Sequence, residues 1–186
     1  MNKVNKRKSD GFSLLETTVA MGIFTVVISV TIGAFLVAIK AQRVVLTEKA
    51  ISENINFALE FMSRQMRVAK RDTAGACIST NSTFDTQGSQ VSFINADLSC
   101  IRFFLSFGAL TYENTTTFSG EIALTDNTVV SIDKLSFLVQ GEQNSDLEQP
   151  RATVVISASG AGNSAESQGV QLNIQTTVST RGLDIN

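Results

Sequence analysis

From Thr17 to Ile39 the chain runs for 23 residues without a charge, TTVAMGIFTVVISVTIGAFLVAI. As a helix this run extends about 35 Å, enough to cross a hydrocarbon core about 30 Å thick. Thirteen of its residues are Val, Ile or Thr, which in water favour strands. In lipid a lone strand leaves its backbone N–H and C=O groups unpaired, so the run predicts a transmembrane helix. Beyond it the pattern turns amphipathic. Ile51, Ile55, Ala58, Leu59, Met62, Met66 and Ala69 recur at helical spacing, with Glu53, Asn56, Glu60, Ser63, Arg64 and Arg67 opposite them. Such a stripe predicts a helix laid on a folded core. Asp72, Thr73 and Gly75 end the pattern. One helix is therefore expected over 12–72, membrane-spanning at about 13–39 and about 90 Å long if unbroken from 13 to 72.

From residue 73 onward the period is two. Val91-Ser-Phe-Ile, Cys100-Ile-Arg-Phe-Phe-Leu and Thr153-Val-Val-Ile-Ser are short apolar runs, and Leu135, Phe137 and Val139 alternate with Ser136, Leu138 and Gln140. Val170, Leu172, Ile174, Thr176 and Val178 alternate as well. Glu121–Thr125 and Thr128–Ile132 flank Asp126-Asn127, a spacing that predicts a hairpin with a two-residue turn. No helix-length pattern separates these strands, so antiparallel meanders are expected rather than crossovers. The fold class predicted is α+β, a long N-terminal helix packed on a C-terminal antiparallel domain over 73–186.

The charge is uneven. The chain of 186 residues has a formal net charge of -2, but residues 1–11 and 40–72 are each net +3 and residues 73–186 are net -7. Lys3, Lys6, Arg7 and Lys8 ahead of the apolar run predict a cytoplasmic N-terminus. Lys40, Arg43 and Lys49 beyond it weaken that bias without reversing it. The run is too long for a cleaved signal peptide, and Lys40 falls inside the one Ala-x-Ala-like window, Ala38 to Ala41. The bulk of the chain is thus expected outside the inner membrane. The absence of histidine excludes a Ser-His-Asp triad, a Cys-His pair and imidazole general-base chemistry. No cofactor is implied, and an enzyme is not expected.

Glu16 opens the apolar stretch, after Phe12, Ser13, Leu14 and Leu15. A charge inside a membrane span costs about 2.5–3.5 kcal/mol at the centre and less near an end. One reading is a carboxylate snorkelling into the headgroups at a helix N-terminus. The other is a carboxylate that awaits a cation. Cleavage between Gly11 and Phe12 creates one, an amine four residues away and so one turn off on the same helical face, free to pair within the chain or with a neighbour.

The stretch Lys6-Arg-Lys-Ser-Asp-Gly-Phe-Ser-Leu-Leu-Glu16, followed by the apolar run, resembles the leader and cleavage motif of type IV prepilins. The resemblance covers residues 6–40 in detail and the layout of the rest. It implies a leader over 1–11, cleavage after Gly11 by a prepilin peptidase, and N-methylation of Phe12 by the same enzyme. It implies a mature subunit of a type IV pilus or a type II secretion pseudopilus, lifted from the inner membrane by an assembly platform into a filament of pilin or pseudopilin subunits. Glu16 then pairs with the amine of a neighbouring subunit and sets the axial register. Many major pilins carry a proline deep in the run where this chain has Gly33. The length, the retained Glu16 and the stretches SRQMRVAKR and QTTVSTRGL are similar to J- or W-type minor subunits.

Other features have a plain reading beside a sharper one. Arg64, Arg67, Lys70 and Arg71 make a solvated face suited to the helix dipole, or else a contact for an acidic neighbour. No aromatics are interleaved, so no nucleic acid is expected. Thr18, Gly22, Thr25, Ser29 and Gly33 share one helix face and allow close approach of another helix. The loop 141–150 carries Glu142, Asp146 and Glu148, which is read as a solvated acidic loop rather than a calcium site, and no metal is assigned. The 159–169 connection is rich in Gly and Ser. Cys77 and Cys100, on the exported side, are either bridged or two buried thiols, with the even count favouring the bridge. The rival readings are an unprocessed single-pass protein with a β-rich binding domain and, last, an anchored enzyme built on paired carboxylates.

Overall fold

The computed structural model describes residues 11–116, 118–142, 148–162 and 169–181. The expected leader residues 1–10, Asp146 and most of the 159–169 connection lie outside the described residues. One helix, α1 (Leu14–Arg67), precedes eight strands: β1 (Asp85–Gln87), β2 (Gln90–Ile94), β3 (Cys100–Ser106), β4 (Ala109–Asn114), β5 (Phe118–Ala123), β6 (Val130–Gln140), β7 (Arg151–Gly160) and β8 (Gln171–Ser179). The chain divides into two compact units at Gln42/Arg43.

The first unit is the apolar part of α1, long and apolar enough to cross a membrane. Its large side chains stand exposed all round, Leu14, Phe24, Val30 and Phe35 among them, as expected of a surface meant for lipid or other helices. Its hydroxyls are turned inward on the backbone. Thr18, Thr25, Ser29 and Thr31 each donate to the carbonyl four residues back, at 2.8–2.9 Å, so none presents an unpaired O–H to hydrocarbon.

In the second unit the later part of α1 buries Ile51, Ile55, Ala58, Leu59, Met62 and Met66, the stripe read from the sequence. Burial of each large side chain is worth about 1.5–3 kcal/mol. That exceeds any difference in helix propensity, so packing and not propensity fixes this helix. The strands form two antiparallel sheets, β1-β2-β3-β4-β5 and β6-β7-β8, each in chain order. Val91, Phe93, Ile101, Phe103 and Leu110 from the first sheet share one core with Ala152, Val154, Ile156 and Ala158 of β7. Every second residue of β7 is buried, the period-two pattern of a one-sided sheet. Phe61 of α1 meets the rings of Phe103 and Tyr112 edge-on, with centroids 6.3 and 5.3 Å away.

Three expectations need correction. The helix runs Leu14–Arg67 rather than 12–72. Val68 and Ala69 continue it only by tighter i−3 bonds, and Lys70 N then donates to Ile94 O at 2.8 Å and Asp72 N to Ser82 O. The chain leaves the helix where Ile94 O of β2 and Ser82 O take up the amides of Lys70 and Asp72, before Gly75 is reached. Second, the 121–132 hairpin does not form, for β5 pairs with β4 and β6 with β7. Asp126 O accepts from both Val129 N and Val130 N, while its carboxylate accepts from Thr128 N at 2.8 Å and Thr128 Oγ1 at 2.6 Å. This turn passes the chain from one sheet to the other. Third, β1 and β4 are strands that the apolar pattern does not mark. The β3–β4 link is a two-residue turn, Phe107-Gly108, with positive φ at both residues, 48° and 76°.

Candidate functional site

The N-terminal end of α1 holds the residues named for processing and assembly. Ser13 O accepts from Glu16 N at 3.0 Å and Thr17 N at 3.2 Å, which makes Ser13 the cap residue and places Glu16 in the first turn. There its negative charge suits the positive end of the helix dipole. Gly11 and Phe12 precede the cap and are exposed, Phe12 at 81%. Phe12 therefore stands outside the helical turn. In the chain with residues 1–11 still attached the helix begins at Leu14, so Phe12 and Glu16 do not share a helical turn. A bond between the two within one chain has no helical spacing to impose it. Among the described residues, no cation lies within ion-pair distance of Glu16.

Gly22 and Gly33 have open space where a side chain would be. The surface around them is accessible to a second helix, although the hydroxyls on the same face are already committed to their own backbone.

The second cluster is the segment that follows α1. Cys77 and Cys100 are joined by a disulfide, which ties this segment to the first residue of β3. Asp72, only 2% exposed, organises the same segment. Its carboxylate accepts from Ala74 N at 3.1 Å, Cys77 N at 2.8 Å and Ile78 N at 3.1 Å. Burial by itself raises the pKa of this group. The amides of Cys77, Ile78, Ala76 and Gly75 outweigh it together and hold the pKa at about 2. Gly75 is required here, since its φ is +67° and a Cβ would come within 2.6 Å of Thr80 Oγ1.

Of the basic residues at the end of the helix, Arg64, Arg67 and Lys70 are exposed and Arg71 is half-buried. Arg64 pairs with Glu60 one turn back, whereas Lys70 Nζ donates to Ala96 O and Arg71 Nη1 to Asn81 O, both at 2.9 Å. Both lie past the helix and fasten neighbouring loops. Of the acidic residues in 141–150, Glu142 accepts from Thr83 N at 2.7 Å and Phe84 N at 3.2 Å, and Glu148 lies 3.4 Å from Arg151. Glu142 thus serves as a clasp on the strand-leading segment 83–84. Among the described residues no group of three Asp, Glu or Cys is placed to hold a metal ion.

No protein-family model, no curated protein and no solved structure matches this chain.

Proposed function

We propose that this chain is a structural, non-enzymatic subunit of a type IV pilus or type II secretion pseudopilus, of the minor kind. Prepilin peptidase removes residues 1–11 and methylates Phe12, and the mature chain waits in the inner membrane with its β domain on the far side. Other pilin or pseudopilin subunits and the assembly platform then draw it into a filament, with Glu16 pairing to the terminal amine of a neighbour.

The observation that carries this reading is Glu16 itself. It is a carboxylate in the first turn of a helix that remains uncharged from Thr17 to Ile39, with no cation near it among the described residues. The amine that pairs with it is that of a neighbouring subunit, as the resemblance to prepilins implies. Removing one member of a desolvated ion pair costs about 3–5 kcal/mol, so one carboxylate suffices to separate docked from undocked subunits. The test is Glu16→Ala in cells that make the filament. Membrane insertion and cleavage should be normal, and the variant should be lost from sheared filaments. Normal incorporation would refute the pairing.

A further inference from the structure

The sheet edges of the β domain are not alike. Among the described residues the edge strands are β1, β5, β6 and β8. An edge strand carries unpaired N–H and C=O groups that can pair with another chain, and folded proteins blunt such edges with charge, bulges, short strands or a cover. β1 has only three residues and is led in by Thr83 and Phe84, whose amides donate to the Glu142 carboxylate. β5 carries Gly120 and Glu121, and its pairing with β4 shifts register at Glu113/Asn114. β6 shifts register between Ile132 and Lys134, at the charged pair Asp133-Lys134, and Ile132 N donates to Gly108 O at 2.8 Å. β8 has none of these devices. Its nine residues, QLNIQTTVS, include no charge, no Pro and no Gly, and they pair with β7 without a register shift from Gln171 to Ser179.

The register fixes which groups of β8 are free. Gly160 N donates to Val170 O at 3.2 Å and Thr180 N to Pro150 O at 3.1 Å. These two bonds bracket β8, and in an antiparallel pair the bonded residues recur at every second position. The even-numbered residues of β8 therefore bond to β7. Gln171, Asn173, Gln175, Thr177 and Ser179 turn their N–H and C=O groups outward. Among the described residues no backbone bond reaches those groups, and all five residues are exposed. Donors and acceptors repeated every second residue are what the backbone of an added strand pairs with. The side chains narrow the class of that strand. Leu172 and Ile174 stand opposite the buried Ala158 and Ile156 of β7 but are only partly buried themselves, so apolar side chains on a neighbouring strand would finish covering them. On the other face Gln171, Asn173, Gln175 and Thr177 are polar and uncharged. On a domain that is net -7 over 73–186, β8 is a neutral edge.

We infer that the free edge of β8 takes up an extended, uncharged segment of a partner polypeptide, apolar at every second residue, as a further strand of the β6-β7-β8 sheet. This pairing does not depend on cleavage after Gly11 or on Glu16. The test uses the full chain in detergent and follows amide hydrogen exchange by mass spectrometry. The probe is a capped heptapeptide of alternating Val and Thr. It should slow exchange over 171–179 at least tenfold and leave β1 and β5 unchanged. The same peptide N-methylated at every residue keeps its side chains but has no backbone donor, and should give no protection. A peptide with Glu at each Thr should bind at least tenfold more weakly. Gln175→Pro removes an outward N–H and spares the ladder to β7, so it should abolish the protection with an unchanged far-ultraviolet dichroism spectrum. Asn173→Lys combined with Gln175→Lys keeps every N–H, places charge on exposed positions only, and should weaken the probe at least tenfold. No protection by the Val/Thr peptide, equal protection by its N-methylated or Glu-bearing form, protection at β1 or β5 instead, or unaltered protection in the Lys variant would each overturn the proposal. So would protection of 171–179 without peptide that grows with protein concentration, since a second copy of the chain would then be the occupant.

Discussion

Asp72 Oδ2 accepts a hydrogen bond from the amide of Cys77 at 2.8 Å, so the residue that carries the disulfide to β3 is also held by a buried carboxylate. The segment after α1 is thus fixed from both ends, electrostatically to the end of the helix and covalently to the sheet.

The carboxylate gives a stability term with a defined pH window. The folded pKa of Asp72 is about 2, below the unfolded value of about 3.9. A depressed pKa stabilises the fold above the unfolded value, and the contribution fades as pH falls from about 4 towards 2. Asp72→Asn should cost about 1–3 kcal/mol at neutral pH, the penalty for weakening bonds to buried amides. Urea unfolding at pH 7 and pH 2.5 checks this, and the difference between wild type and variant should shrink at the lower pH.

Removal of the bridge acts on the unfolded chain. Cys77 and Cys100 are 23 residues apart, and the chain-entropy relation gives about 3 kcal/mol for a loop of that size. Cys77→Ser with Cys100→Ser should lower the denaturation midpoint accordingly while leaving the dichroism spectrum unchanged. An unchanged midpoint would mean that Asp72 alone fixes the segment.

Two neighbours on α1 separate the packed face from the open one. Ile55 is fully buried and Phe57 is 61% exposed. Ile55→Ala should cost about 2–5 kcal/mol. Phe57→Ala should stay within about 0.5 kcal/mol although it deletes a larger side chain. Equilibrium denaturation of the two variants reads both numbers.

Phe107 is strained without compensating contact. It sits at φ 48° in the β3–β4 turn and is 94% exposed. Asn before Gly suits two successive positive φ values far better. Phe107→Asn should stabilise the fold by about 1 kcal/mol, visible as a rise in melting temperature.

Much of this architecture is legible in the residues. The uncharged run from Thr17, the stripe from Ile51 to Met66 and the alternation in β7 each follow from one buried face and one period. What escapes the sequence depends on tertiary partners. The end of α1 is set by Ile94 O taking the amide of Lys70, a contact with no local signal. Asp126-Asn127 has the composition of a hairpin turn, but the Asp126 carboxylate closes on Thr128 and sends the chain to a new sheet. β4 is signalled only by Gly108 ahead of Leu110 and Tyr112, and β1 is too short and polar to signal at all. That the odd-numbered amides of β8 face outward follows only once the register against β7 is known. At the N-terminus, Gly11, Phe12 and Glu16 are plain in the sequence. That Ser13 caps the helix, leaving Phe12 outside it, is learned from the backbone bonds.

The proposed pairing requires that Glu16 meet an amine exposed by cleavage after Gly11. The most direct measurement is the intact mass and N-terminal sequence of the native protein, purified from cells that also contain the peptidase. The expected product is a chain that begins at Phe12 with one methyl group on its amine. A working protein that still begins at Met1 would contradict it.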